Sequence, residues 1–228
     1  LLSRAVELEP DNAVFLALAA HVLQQRSIFT WPPLGPDDTG RIADWVERAL
    51  VNAAGNTWVL CFCGSALIQH LRDYERGMAA VREAVRGNPN NMFVLTTAGT
   101  NCLHCGTIEE AIALSERALR LCPGDVSNPW AQTTIAHAHM VLGNYEEALG
   151  WAQRSLATNA NFRPTHWILI AASAQLGRSE SAARHLKVFR ALEPDATIAR
   201  IWAGQPHLDP DRTRAILEGL RLAGLPEA

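Results

Sequence analysis

Apolar and polar positions along this chain return in blocks with a spacing of 34 residues. Pro89 and Pro123 stand 34 residues apart, as do Ala160 and Pro194, and each closes a similar phrase: Glu83-Ala-Val-Arg-Gly-Asn-Pro89, Arg117-Ala-Leu-Arg-Leu-Cys-Pro123, Arg154-Ser-Leu-Ala-Thr-Asn-Ala160 and Val188-Phe-Arg-Ala-Leu-Glu-Pro194. A period in this range predicts stacked helix–turn–helix units. Aligned on the closing residue, the units end at Pro10, Ala54, Pro89, Pro123, Ala160 and Pro194, at intervals of 44, 35, 34, 37 and 34 residues. The interval of 37 comes from the turn-rich stretch Gly124-Asp-Val-Ser-Asn-Pro129, and that of 44 from an insertion at 28–37.

Each unit predicts two helices. The first carries small residues near its middle, such as Gly99 and Ala136. A turn comes next, as in His104-Cys-Gly-Thr107, Leu142-Gly-Asn-Tyr145 and Leu176-Gly-Arg-Ser179, where Gly suits the left-handed position that ends a helix. The second helix opens with acids, Glu109-Glu110 and Glu146-Glu147, which complement the positive end of its dipole. Small residues, Ala111 with Ala118 and Ala148 with Ser155, let the paired helices approach, while Leu114, Leu119, Leu149 and Leu156 fill the gap. Proline at the end of the unit stops the second helix.

Composition narrows the function classes. The chain has 228 residues, 48% of them hydrophobic, which is ample for a core divided among repeat interfaces. A net charge of −3, with Lys187 in no basic cluster, argues against nucleic acid. No run approaches the roughly 20 apolar residues of a membrane span. Five cysteines, four of them inside predicted helices, argue against a disulfide framework and for a reducing, cytoplasmic setting. The chain opens Leu1-Leu2-Ser3, and residues 1–9 read as the end of a helix cut in mid-repeat, so the expectation is a fragment of a longer protein.

These units resemble the tetratricopeptide repeat (TPR) over residues 1–194. The small–small–small–Pro pattern stands at Gly99, Ala111, Ala118 and Pro123, and the Leu-Gly-x-Tyr-Glu-Glu-Ala turn at Leu142–Ala148. Two departures are Ala54 in place of the closing Pro, and the large residue of the first helix, which shifts register among Trp58, Trp130 and Trp167. The resemblance implies an all-α, TPR-type helix–turn–helix solenoid forming a right-handed superhelix of about five full helix pairs. Residues 195–228 read as a terminal unit. There Thr197–Ala203 forms a short helix, and a helix after Asp209 and Pro210 runs to Leu222, burying Ile216, Leu217 and Leu220 and exposing Arg212, Arg214, Glu218 and Arg221. This ending, Asp209 to Glu227, together with the Trp- and Pro-containing insertion, is similar to the C-terminal repeat regions of bacterial class III adenylate/guanylate cyclases and of winged-helix transcriptional regulators. In those groups the catalytic or DNA-binding domain lies N-terminal to the repeats.

In the TPR arrangement the first helices line a concave groove. Taken in register, the candidate partner-binding positions are His21, Gln24, Phe62, Gln69, His70, Phe93, Thr96, Thr100, His104, Trp130, Thr133, His137, Trp167 and Gln175, with Val14, Ala17, Val59, Ala66 and Ala171 among the inward positions between them. The groove so defined is neutral, and the Lys/Arg/Asn clamp with which chaperone-binding members hold a C-terminal carboxylate is missing from these positions. An extended or helical segment with apolar anchors and amide contacts suits it better than a charged tail.

The remaining chemistry is weak. Cys102-Leu-His-Cys105 has the spacing of half a zinc site, but Cys61 and Cys63 fall about 10 Å away along the neighbouring helix. His70 and His104 are better placed, yet small buried cysteines are the default reading. The eight histidines make no catalytic pattern; His21, His70, His104 and His137 share one face. No nucleophile–base pair, phosphate-binding loop or paired-carboxylate cleft stands out, so neither an enzyme nor a cofactor is expected. The insertion reads in two ways: Ile28, Phe29, Trp31 and Leu34 fold back over the second helix of their own unit, or they form an edge that a partner contacts. The functional expectation is a protein–protein or interdomain interaction module, the regulatory C-terminal part of a bacterial signalling protein. The alternatives are a small-molecule sensor and a homo-oligomerisation scaffold.

Overall fold

The computed structural model describes residues 1–29, 31–206 and 208–228; Thr30 and His207 lie outside the described residues. Among those described there are thirteen α-helices and no strand. In chain order they are α1 (Leu2–Leu8), α2 (Ala13–Ile28), α3 (Asp38–Val51), α4 (Thr57–Ala66), α5 (Tyr74–Gly87), α6 (Met92–Cys105), α7 (Ile108–Leu121), α8 (Asn128–Val141), α9 (Tyr145–Thr158), α10 (Arg163–Gln175), α11 (Ser179–Leu192), α12 (Ile198–Ala203) and α13 (Asp211–Leu222). The two helices of a unit differ in burial. α4, a first helix, buries every residue from Val59 to Ala66, whereas its partner α5 buries one stripe: Gly77, Met78, Ala80, Val81 and Ala84. A helix enclosed by neighbours has no polar face to spare, while an outer helix keeps one for water.

The turns track the glycines. Gly106, Gly143 and Gly177 take φ of 90°, 74° and 70°. The α4–α5 turn has no glycine, and Arg72 adopts φ of 62° instead. This unit also holds the 35-residue interval. Its extra residue is absorbed at the end of α4, where residues Leu67–Leu71 form a π-turn with Arg72 N–H donating to the Leu67 carbonyl. One inserted residue rotates all later positions of a helix by about 100°, so a π-turn resets which side chains face inward.

The chain divides into two compact units, and the division falls between Cys105 and Gly106. Unit 1 holds residues 1–105 with 204–208, and unit 2 holds 106–203 with 209–228. The core of unit 1 gathers Leu16, Ile42, Val46, Val59 and Val94. That of unit 2 gathers Met140, Ile168, Ile170, Phe189, Ile216 and Leu220. In unit 1 the first helices start on asparagines. Asn12 Oδ1 accepts from Val14 N and Phe15 N, Asn56 Oδ1 from Trp58 N and Val59 N, and Asn91 Oδ1 from Val94 N. Each satisfies amide groups that a helix start leaves unpaired. In unit 2 the first helices α8 and α10 start with proline in the first turn, whose missing N–H and fixed φ suit that place.

Candidate functional site: two inner faces

In unit 1 the inner face is built by α2, α4 with its π-turn, and α6, each packed on the next. A chain of amides crosses all three. Gln24 Nε2 donates to Gln69 Oε1 at 3.3 Å and to the Ser65 carbonyl at 3.4 Å. Gln69 Nε2 donates to Asn101 Oδ1 at 2.9 Å, and Asn101 Nδ2 donates to Ser65 Oγ at 2.8 Å and to the Thr97 carbonyl at 2.9 Å. Gln24 and Asn101 are fully buried. Buried amides are tolerated because they satisfy one another, and orphaning one costs about 1–3 kcal/mol. This corrects the sequence expectation for Gln24, which is spent inside the protein rather than offered to a partner. Thr96 is corrected likewise: it is buried, with its hydroxyl on Met92 Sδ. Thr100 is half-buried and donates back to the Thr96 carbonyl.

Beside the amide chain lies an aromatic cluster. His21 packs on Phe62 with ring centres 4.6 Å apart, Phe62 meets Phe93 at 5.2 Å, and Trp58 stacks on Phe93 at 4.5 Å and 11°. The cluster rises from buried Phe62, through half-buried His21 and Phe93, to Trp58, which is 44% exposed. The sequence register makes Val59 inward and passes over Trp58. The structure buries Val59 completely, because the extra residue of this unit sits at the end of α4 and not at its start. Burial holds the His21 imidazole down to about 4, and the hydrogen bond to Gln24 offsets part of that.

His70 and His104 sit at helix ends, both half-buried. His70 Nε2 is 3.1 Å from Thr39 Oγ1, next to the insertion; burial first and the Arg72 charge second lower its pKa, against Asp38, which raises it. The insertion folds onto its own unit. Trp31 N donates to the Arg26 carbonyl at 2.8 Å, Arg26 Nη2 to the Pro32 carbonyl at 2.5 Å, and Leu34 N to Asp38 Oδ2 at 2.7 Å. It borders an open pocket of about 470 Å³ lined by Leu23, Arg26, Trp31, Pro33, Pro36, Thr39, Ile42 and His70, among others. Trp31 and Leu34 still show 46% and 58% of their surface. The insertion therefore lies against Arg26 of α2 and the first turn of α3 and keeps an apolar edge open.

In unit 2 the corresponding face is occupied. α13 packs on α10 and reaches α8. Gly219 lies so close to α10 that a Cβ there would stand 2.7 Å from Ala171 Cα. Gln175 Nε2 donates to the Ala215 carbonyl at 3.0 Å. His137 is lowered to about 4, by burial and then by the Arg212 guanidinium. His137, Ala171 and Gln175 are the positions expected to line an open groove, so this part of the groove is filled by the chain's own C-terminal helix. Arg212 is corrected as well. Expected in solvent, it is 9% exposed, against Gly106 and 3.7 Å from Asp209 Oδ2. It shares a helical stripe with Ile216, Gly219 and Leu220, and the stripe outweighs its charge because the guanidinium finds a carboxylate. The tail after α13 is tied down: Ile198 N donates to the Pro226 carbonyl at 2.8 Å and Ala199 N to that of Glu227 at 2.9 Å.

Thr133, also expected in the groove, points the other way. Its hydroxyl lies 3.0 Å from Ser155 Oγ and 2.5 Å from Thr165 Oγ1, and those two lie 2.8 Å apart, a closed triangle joining α8, α9 and α10. Trp130 meets Phe162 edge-on at 4.8 Å. Trp167 is half-buried against the unit 2 core.

None of the five cysteines is in a disulfide, and burial pushes the Cys61 and Cys63 thiols up to about 12, which leaves them unreactive. Among the described residues no group of three or more His, Cys, Asp or Glu could hold a metal ion, and no helix is long and apolar enough to cross a membrane.

The structure is similar to that of PilW, a widely conserved type IV pilus biogenesis factor (TM-score 0.64, 17% identity, 90% of this chain and 88% of that one). It is also similar to YrrB, a TPR protein with an unusual peptide-binding site (TM-score 0.51, 16% identity, 85% and 93%). The fold is a tetratricopeptide-repeat solenoid. In sequence, 111 residues are 30% identical to the TPR repeat-containing thioredoxin TTL4 of Arabidopsis thaliana, which is 49% of this chain and 16% of that protein. The chain thus spans a small part of the curated relative it matches. No protein-family model matches the chain. These likenesses indicate a repeat module.

Proposed function

We propose that this chain is a protein- or peptide-binding TPR module whose contact surface is the inner face of unit 1. The observation that carries this reading is the cluster His21–Phe62–Phe93–Trp58, which runs from the core to an indole 44% exposed. Aromatic anchors of this kind dominate binding energy at interfaces. The likeness to YrrB, a TPR protein with a peptide-binding site, supports a peptide-binding use. The partner is an extended or helical segment with apolar anchors, supplied by another protein or by another domain of the same chain. Of the expected positions, His21, Phe62 and Phe93 form this surface and Trp58 joins them.

The wider context we infer is that of a regulatory C-terminal region of a cytoplasmic bacterial signalling protein, with residues 1–194 as the repeat array and 195–228 as its terminal segment. Its support is the resemblance of the Asp209–Glu227 ending and of the insertion to repeat regions of nucleotide cyclases and winged-helix regulators, together with five cysteines outside any disulfide. Peptides selected on the intact chain from a random display library test the reading. Selected sequences should share an apolar anchor and lose binding in Trp58→Ala; a library that yields no binder would contradict it. A second reading, small-molecule sensing, is favoured by the pocket of about 470 Å³ under the insertion, a size that suits a small ligand.

A further inference from the structure

The amide chain of unit 1 has a determined direction, and that direction ends at His21. Asn101 Nδ2 faces the Thr97 carbonyl, which can only accept, so Asn101 Oδ1 is the end that receives Gln69 Nε2. Gln69 Oε1 is then left to receive Gln24 Nε2, and that nitrogen also faces a carbonyl, that of Ser65. Gln24 Oε1 is thus an acceptor, and His21 Nδ1, 3.3 Å from it, must carry the proton. Turning any one amide over would set donor against donor or acceptor against acceptor.

A neutral imidazole protonated on Nδ1 has a bare lone pair on Nε2. Burial keeps His21 neutral at physiological pH. Its Nε2 has no hydrogen-bond partner among the described residues, and the side chain is half-buried. The ring stands directly on Phe62, within the cluster that leads to Phe93 and Trp58.

We propose that the buried amide chain locks His21 as the Nδ1–H tautomer, and that its Nε2 is a fixed acceptor selecting a partner side chain with an apolar ring and a terminal hydrogen-bond donor. Among protein side chains that describes tyrosine and tryptophan, whose rings fit an aromatic surface while the O–H or N–H needs a partner when buried. The proposal rests on the peptide-binding reading of this face and names the side chain it selects. His21 would be a specificity-determining residue, and Gln24, Gln69 and Asn101 positioning residues that act through it.

The tautomer is measured in the intact, ¹⁵N-labelled chain by two-bond ¹H–¹⁵N correlation of the imidazole. His21 should show a pyridine-like Nε2 and a protonated Nδ1, and a protonated Nε2 with bare Nδ1 would overturn the proposal. Binding is read in the same sample with p-cresol, which mimics the tyrosine side chain, against 4-methylanisole, which has the ring but no donor. Shifts at His21 and at the Trp58 indole should report p-cresol binding at least about fivefold tighter, the factor one good hydrogen bond supplies. His21→Phe, with helicity checked by circular dichroism, should remove the preference. Equal affinity of the two probes for the wild-type chain would also overturn the proposal. If tautomer and preference are as stated and yet the display library yields no binder, the peptide-binding reading fails while the acceptor assignment stands.

Discussion

The inner faces of the two units are made from the same kind of helix and are used in opposite ways. In unit 1 the polar side chains of α2, the π-turn and α6 pair with one another along the face, and an aromatic cluster stays partly open. In unit 2 the polar side chains of α8, α9 and α10 turn inward into a hydroxyl triangle, and α13 lies on the face. The open face ends in rings that a partner can reach; the occupied one is already satisfied by a helix of the same chain. A repeat period specifies which residues face inward. What lies on that face is decided by side chains that do not repeat, such as Gly219 on α13 or Gln69 in the π-turn.

The largest test of this contrast is removal of α13. Ending the chain at residue 208 takes the buried side chains Ile216, Leu220 and Leu225 out of the core and leaves Gln175 without the Ala215 carbonyl. The loss should be at least about 4 kcal/mol, from three large side chains, read as a lower midpoint in chemical denaturation. Little change in midpoint would mean that α13 is an ornament on a self-sufficient face. Gly219→Val, which sets a branched side chain against Ala171, should reproduce a good part of that loss without deleting anything.

The next effect belongs to unit 1. Gln24→Leu removes one member of the amide chain and strands Gln69 and His21, at roughly 2–3 kcal/mol. A neutral outcome would show that the chain is dispensable. Acid should act on both units. His21 and His137 each have a folded pKa near 4 against an ordinary 6.5. The unfolded chain binds their protons first, so the stability from keeping them neutral is complete above pH 6.5 and is lost as pH falls toward 4. That is up to roughly 3 kcal/mol for each. His21→Gln should flatten the unit 1 share of this dependence, measured as denaturation midpoint against pH. The smallest effect is expected from Thr133→Val, which opens the hydroxyl triangle but leaves Ser155 and Thr165 bonded to each other. It should cost about 1 kcal/mol, and a larger loss would mean that the triangle holds α8 to its neighbours.

The same contrasts mark how far the sequence is legible. The helix pairs, the left-handed glycines at 106, 143 and 177 and the breaks at 28–37 and 124–129 all come from the period, because they depend on local backbone chemistry. Trp58 escapes the register because an interval of 35 reveals one extra residue but not its place, and the π-turn puts it at the far end of α4. Gln24 and Thr133 look like groove residues because a polar side chain at an inward position has the same spacing whether it faces a partner or pairs within the protein. The charge of Arg212 points to solvent, although its spacing with Ile216 and Leu220 puts it on the buried stripe. The asparagines at 12, 56 and 91 are a legible signal for helix starts.

The central claim is that binding belongs to the open face of unit 1. It is tested most directly by the affinity of a display-selected peptide for three forms of the intact chain: wild type, Trp58→Ala, and Arg214→Ala on the exposed side of α13. A loss of at least about tenfold is predicted for Trp58→Ala, as expected of an aromatic anchor, and no change for Arg214→Ala. Binding that survives Trp58→Ala and fails in Arg214→Ala would place the site on unit 2 and contradict that claim.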